Sequence, residues 1–323
     1  MKDLTWWDLD KTYLRTDFDS AAQLLRTAFE GSSNKRTHVG ADTLLRAIRD
    51  HGAAAHIISG SPKQMRGVIS RKFRIDEVEF DSLTLKPNVA NVLRFRFRAV
   101  RDQLGYKLPA VLSTLRGARD VRVLAVGDDS EADTFIYSLA ADILAGAVEL
   151  PLVREVMHRA GAYQDDIDRT LYIAAQVHGA GEMSRILIHL ERRTPLSRFA
   201  PYGARVVPFY NYMQAAHICF DAHWLDAPGL LSVARVMATR HLFDGDQLAR
   251  SFAELSTRGV LGNREGGAEE LLATHQEAGG APSPAMDQWL DALRQPGDET
   301  RPPRTTRGVP DYLALAPTHN WRH

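Results

Sequence analysis

The sequence predicts an α/β fold, a parallel sheet with helices on both faces, followed by a mostly helical C-terminal extension. Three observations predict it. Short apolar runs recur through about the first 145 residues, each bounded by Gly, Pro or Asp. Segments with apolar residues at helical spacing separate them. Beyond that point helical spacing dominates. Strands alternating with helices bury both faces of a parallel sheet.

The elements follow in order. LTWW (4–7) is the first strand, and its two tryptophans point to opposite faces. DSAAQLLRTAFE (19–30) has helical spacing. GADTLLRAIRDHG (40–52) has Leu44, Leu45 and Ile48 on one side and stops at Gly52. AAAHIIS (53–59) is a buried strand, FDSLTLKP (80–87) holds a short one, and VRVLAVG (121–127) is a β-branched run. VLRFRFRAVRDQLGYK (92–107) fits a helix with Val89, Leu93, Phe97, Val100 and Leu104 as its stripe. Arg94, Arg98 and Arg101 then line another face, either solvated or an anion-binding wall; as a strand, Arg94, Arg96 and Arg98 would share a face. DTFIYSLAADILAG (133–146), LPLVREVMHRAG (150–161) and DDIDRTLYIAAQVHGAG (165–181) are helical, and RILIHLE (185–191) is one more strand. Three further helices are expected over 230–243, 246–259 and 267–280. The boundaries predicted are a catalytic domain over 1–225 (core 1–145 plus the strand near 185–191, with a helical insertion at 145–184), a helical extension over 226–280, and an extended or mobile tail over 281–323, rich in Gly, Pro, Arg and Thr.

Composition narrows the function classes. The chain of 323 residues is 44% hydrophobic and 25% charged with a formal net charge of zero, so long-range attraction to nucleic acid is not implied. The single cysteine, Cys219, forms no internal disulfide, in keeping with a cytoplasmic location. The N-terminus lacks the apolar core of a signal peptide, and no apolar run is long enough to predict a membrane span. Oligomeric state is not legible.

The polar residues that end the apolar runs carry the chemistry. In parallel sheets such residues converge at the carboxyl ends of the strands. Asp8 ends the first strand and Asp10 sits in the turn behind it. A strand-end carboxylate can attack phosphorus if a cation offsets the repulsion and a second acid protonates the leaving oxygen. Asp10 as nucleophile would leave Asp8 an unpaired charge inside the strand. Asp8 is therefore the expected nucleophile and Asp10 the acid/base, with its backbone carbonyl free to face a metal. Ser59, in HIISGSP (56–62), can hold a phosphate oxygen through its hydroxyl and adjacent N–H groups. Asp128 and Asp129 end another strand, with Asp133 five residues after Asp128; such a cluster suits Mg²⁺. Lys107 can offset charge on Asp8 and on a phosphoryl group.

The order DLDKT, IISGS, a lysine, then VGDDSEAD resembles the four motifs of the haloacid dehalogenase (HAD) superfamily over about residues 4–145. The resemblance implies a Rossmann-like sheet and a Mg²⁺-dependent phosphatase acting through an aspartyl-phosphate; neither cap position, Thr12 to Ile58 or Pro62 to Tyr106, has room for a large domain, so a small cap or none is expected. The resemblance makes Asp8 nucleophile and metal ligand, Asp10 acid/base with its carbonyl on the metal, Ser59 the phosphoryl-binding residue, Lys107 the stabiliser of the intermediate and Asp128 the acidic ligand. Asp129 substitutes for or assists Asp128, and Asp133 orients Lys107. SGSP, the lysine helix and GDDSEADTFIY are most similar to the catalytic domain of the actin-patch type of phosphatidate phosphatase. Tyr137 fits that pattern; Asp129 stands where serine is common, and the helical insertion before RILIHLE departs from it. An open mouth would favour a bulky phosphorylated substrate such as a phospholipid, phosphoprotein or nucleic-acid end. Rival readings are a catalytically silent HAD-like binding or regulatory module and a phosphotransferase to a nucleotide or sugar acceptor.

Two further clusters have plainer readings. His217 and Asp221 are one helical turn apart, but His223 lies off that face, so they are expected as partly buried polar residues rather than a metal site. Tyr210, Tyr212 and Gln214 are expected to pack rather than to bind.

Overall fold

The computed structural model of the protein describes residues 1–15, 37–86, 103–130, 132–240, 242–262, 264, 266–278, 283–294 and 308–316. The helix expected at 19–30, the arginine-bearing stretch up to residue 101 and most of the Gly/Pro-rich tail lie outside these residues. The described residues fall into two compact units. The first comprises those within Met1–Arg36, Ala54–Pro208 and Thr306–His323; the second comprises those within Thr37–Ala53 and Phe209–Thr305.

Among the described residues the strands are β1 (Lys2–Asp8), β2 (Ala54–Pro62), β3 (Ser82–Lys86), β4 (Val121–Asp128), β5 (Gly181–His189) and β6 (Val206–Phe209). The helices are α1 (Ala41–Asp50), α2 (Arg66–Ile75), α3 (Gln103–Ser113), α4 (Asp133–Leu144), α5 (Leu150–Arg159), α6 (Gln164–Val177), α7 (Tyr212–Asp221), α8 (Ala227–Arg240), α9 (Gly245–Thr257), α10 (Gly267–Glu277), α11 (Pro284–Leu293) and α12 (Tyr312–Leu315).

The strands form one sheet in the order β3-β2-β1-β4-β5-β6. β1 lies parallel between β2 and β4, with Asp8 opposite Ile58 and Trp7 opposite Val126. β4 and β5 are parallel and end level, Asp128 opposite His189. The carboxyl ends of these strands therefore share one edge. Strand order reverses beside β1, where parallel sheets open a crevice for ligands. The architecture is the α/β one the sequence predicts, with helical chain following it. β6 was not anticipated: VVPF is four residues long and contains Pro208, which suits a short strand at a sheet edge.

Both tryptophans of β1 are fully buried. Trp6 joins the core that β1 and β4 build with α3, α4 and α6, through Leu4, Val123, Leu108, Phe135 and Ala174 among others. Its Nε1 donates to Thr114 Oγ1 at 2.8 Å. Trp7, next along the strand, is not part of that cluster, as the alternation of strand side chains requires. Every residue of α4 is buried. Its one mid-helix acid, Asp142, is held by Arg205 through two bonds of 2.6 and 2.7 Å and by the Tyr312 hydroxyl. A buried acid is tolerable in that helix because both of its oxygens are satisfied.

Within 281–323, where composition predicts extended chain, two helices form. Pro284 at the start of α11 suits a first helical turn, and Met286, Trp289, Leu290 and Leu293 fall on one buried face. In α12, Tyr312 is buried with its ring edge-on to Phe135. The apolar spacing of these short segments outweighs the Gly- and Pro-rich chain between them.

Candidate active site

The site lies within the first unit, at the carboxyl edge of the sheet. Asp8 ends β1 and is buried, with 1% exposure. Behind it the chain turns sharply. Lys11 takes a left-handed conformation, with φ of 60°, and its N–H donates to the Leu14 carbonyl at 2.8 Å. A non-glycine residue there carries a steric cost, so the turn is held rather than slack. It returns Thr12 to the strand end. The Thr12 hydroxyl donates to Asp8 Oδ2 at 3.3 Å and lies 3.5 Å from Asp128 Oδ2.

Lys107 reaches the same point from α3. Its ammonium is fully buried and sits 2.6 Å from Asp8 Oδ1 and 2.6 Å from Asp133 Oδ1. A buried ammonium needs such partners. Asp133 opens α4, and its Oδ2 accepts from the Asp128 N–H at 3.3 Å. Asp128 Oδ1 accepts from the Ser130 N–H at 2.5 Å, which fixes the loop after β4. Burial pushes the phenol of Tyr106, beside Lys107, well up from its ordinary pKa, so that it stays protonated.

Asp10 stands apart from these carboxylates. Its Oδ2 accepts from Ser59 Oγ at 3.1 Å and from Ser61 Oγ at 2.8 Å. Ser59 and Ser61 are two apart in β2 and so share a face. The β2–β3 register breaks between Ser59 and Pro62, an irregularity at the strand end that presents these hydroxyls. The Ser61 N–H also donates to Ser59 Oγ at 2.9 Å. Asp10 Oδ1 is buried without a hydrogen-bond partner among the described residues.

Asp8, Asp10, Ser59, Lys107, Asp128 and Asp133 thus meet at one sheet edge. Asp129 does not join them. Its carboxylate accepts from the Arg192 and Thr194 N–H groups at 2.8 and 2.9 Å, tying the loop after β4 to the loop after β5. Asp8, Asp128 and Asp133 offer carboxylate oxygens within 4.8 Å of one another, and all three are buried. One ammonium offsets only one of three like charges. This donor set fits a hard divalent cation, which favours carboxylate oxygens.

Three residues were missed in the sequence. Ser61 was legible, because a second hydroxyl two residues after Ser59 must face the same way. Thr12 has only its distance from Asp8 to mark it. His189 was given no role beyond its place in the strand expected over 185–191, yet it ends β5 beside Asp128, and its Nδ1 donates to the Lys11 carbonyl at 3.2 Å. Burial lowers its pKa, so the ring is neutral and this bond fixes its tautomer. In the second unit, His217 and Asp221 are buried and Asp221 accepts from the Gly262 N–H at 2.8 Å, while His223 lies beside Arg264 in a left-handed turn.

Among the described residues no helix is long and apolar enough to cross a membrane. A curated relative, an uncharacterized protein of Schizosaccharomyces pombe, is 23% identical over 151 residues, which are 46% of this chain and 24% of the relative. The chain therefore spans about a quarter of the length of that relative. No solved structure matches it. Residues 7–155 match the family model of the phosphatidate phosphatase APP1 catalytic domain, a HAD-like family, and this stretch, which carries Asp8, Asp10, Ser59, Lys107, Asp128 and Asp133, is the part of the chain that bears the family's likeness.

Proposed function

We propose that the protein is a Mg²⁺-dependent phosphatase that works through an aspartyl-phosphate on Asp8. The observation that carries this reading is the division of labour among the acids. Asp8 is bonded to Lys107, which favours its ionised, nucleophilic form. Asp10 is held apart on two serine hydroxyls with one oxygen unengaged among the described residues. The family match over residues 7–155 supports phosphatase chemistry.

In the first step a carboxylate oxygen of Asp8 attacks phosphorus and the ester P–O bond breaks. The leaving oxygen takes the bonding pair and a proton from Asp10. In the second step Asp10 takes a proton from water, whose oxygen attacks the same phosphorus. The Asp8–phosphate bond breaks, inorganic phosphate leaves and Asp8 is restored. Lys107 neutralises charge on Asp8 throughout, and Asp133 orients Lys107. Asp8, Asp128 and the Asp10 carbonyl would hold Mg²⁺, which supplies charge neutralisation between two anions. Asp129 has no part in that set, because its carboxylate is engaged by the loop after β5. Phosphatidate, in the name of the matched family, makes lipid phosphates the first substrates to test.

The test is hydrolysis of an aryl phosphate, with and without Mg²⁺, beside the Asp8→Asn variant. Turnover that needs both the metal and Asp8 is expected. Turnover that survives Asp8→Asn overturns the mechanism. Folded, metal-loaded protein inactive on aryl, lipid, nucleotide and protein phosphates overturns the phosphatase reading in favour of a binding module.

A further inference from the structure

The turn that carries Asp10 is tied to the end of β5. Lys11 is the left-handed residue of that turn, with φ of 60°. A non-glycine residue persists in that conformation where its surroundings hold it. Several of the holds are internal. The Lys11 N–H donates to the Leu14 carbonyl at 2.8 Å, and the Tyr13 and Leu14 N–H groups donate to the Leu9 carbonyl at 3.0 and 2.8 Å. Two further holds come from outside the turn. The Tyr13 hydroxyl donates to Asp76 Oδ2 at 2.7 Å. His189 Nδ1 donates to the Lys11 carbonyl at 3.2 Å. That carbonyl belongs to the peptide joining Lys11 to Thr12. His189 therefore grips the chain between Asp10 and the threonine whose hydroxyl meets Asp8.

His189 is itself well anchored. It is 7% exposed and stands opposite Asp128 in the β4–β5 ladder. Its carbonyl accepts from the Asp129 N–H at 3.1 Å. The Asp129 carboxylate fastens the chain just beyond it, through the Arg192 and Thr194 N–H groups. Glu191 Oε2 is 3.8 Å from His189 Nδ1, beyond hydrogen-bond range, so it does not compete for that proton. A group that orients reacting residues needs its own position locked in this way.

We propose that His189 is a positioning residue for the reaction: through the Lys11 carbonyl it fixes the turn behind β1, and with it the place of Asp10 relative to Asp8. The inference rests on the phosphatase reading given above. His189 acts through the backbone, not on the reacting atoms. Asp129 gains a use as well, since it holds the loop on which His189 opens.

The test compares His189→Asn with His189→Gln in the full chain. The asparagine amide nitrogen takes the place of Nδ1 and can keep the bond to the Lys11 carbonyl. The glutamine amide nitrogen takes the place of Nε2 and loses it. His189→Leu, which has no donor, serves if the glutamine variant does not fold. The first readout is kcat/KM on an alkyl phosphate and on an aryl phosphate with a good leaving group. His189→Gln is expected to lower the alkyl value by up to about 10²-fold, the loss that a misplacement of about 1 Å can bring. The aryl value should fall less, because a good leaving group has less need of a proton from Asp10. His189→Asn should recover most of the loss. The second readout is hydrogen exchange at the Lys11, Tyr13 and Leu14 amides, which needs no turnover. Exchange should quicken in His189→Gln and stay near the parent rate in His189→Asn. A parent protein that hydrolyses neither phosphate counts against the phosphatase reading, and the exchange rates still decide whether His189 holds the turn. Equal activity in the two variants, equal losses on the two phosphates, or turn amides that exchange in His189→Gln as in the parent overturns the proposal.

Discussion

The carboxylate of Asp133 lies against Gly127 so closely that a Cβ built on that glycine would fall 2.5 Å from Asp133 Oδ2. No side chain fits there without moving the acid. Asp133 in turn holds Lys107, and Lys107 holds Asp8. Gly127→Ala is therefore expected to displace Asp133 and loosen the ammonium. A misplacement of about 1 Å can cost about 10²-fold in rate. Overpacking should cost only about 1–3 kcal/mol in stability. Steady-state kinetics beside a denaturation curve separate the two effects; unchanged kcat in Gly127→Ala would count against Asp133 as the residue that orients Lys107.

Removing the lysine should hurt more than removing its partner. Lys107→Met leaves Asp8 and Asp133 buried without their ammonium, and breaking such a pair costs about 3–5 kcal/mol. Asp8→Asn removes one acid and leaves Lys107 paired with Asp133. Urea midpoints should thus fall further for Lys107→Met than for Asp8→Asn, although both should lack turnover. The reverse order would mean that the acids gain little from Lys107.

Ser59 and Ser61 should matter through Asp10. Each hydroxyl donates to Asp10 Oδ2, and such a hydrogen bond is worth about 0.5–1.5 kcal/mol. Ser61→Ala is expected to lower kcat by about tenfold or more on alkyl phosphates, whose leaving oxygen needs a proton. The loss on aryl phosphates with good leaving groups should be smaller. Equal losses across the series would separate Ser61 from acid catalysis.

The helical unit should weaken in mild acid. Burial lowers the pKa of His217 to about 3, so the folded state holds it neutral while the unfolded chain protonates it near the ordinary 6.5. Below about pH 6.5 the unfolded state binds the extra proton, and stability falls by up to about 1.4 kcal/mol per pH unit. The contribution is complete above that pH and is lost towards the folded value near 3. Denaturation of the protein and of His217→Gln at a series of pH values checks this. The substitution should flatten the profile between pH 6 and pH 4.

The strands and the acids that end them were legible because their signals are local. An apolar run that closes on Asp or Ser, as at Asp8, Ser59 and Asp128, announces both the strand and the group it presents. The long helices after residue 145 were legible from spacing alone. Asp129 and Asp133 were harder to assign, since both follow β4 and only the fold decides which turns inward. Asp129 is drawn away by two backbone N–H groups of a loop more than 60 residues further on, and no local pattern carries that information. His189 went unassigned for the same reason: its partner, the Lys11 carbonyl, is 178 residues away.

The separations across Lys107 bear on how the protein acquires its chemistry. The lysine joins Asp8, 99 residues earlier, to Asp133, 26 residues later. Contacts between segments so distant in the chain form slowly, because the loops they close must be ordered first. Until β1, α3 and α4 have all assembled, no intermediate on the folding route owns a complete set of reacting groups. Recovery of turnover after dilution from denaturant would then lag behind recovery of helical circular dichroism, making enzymatic competence a clock for the last step of assembly rather than the first.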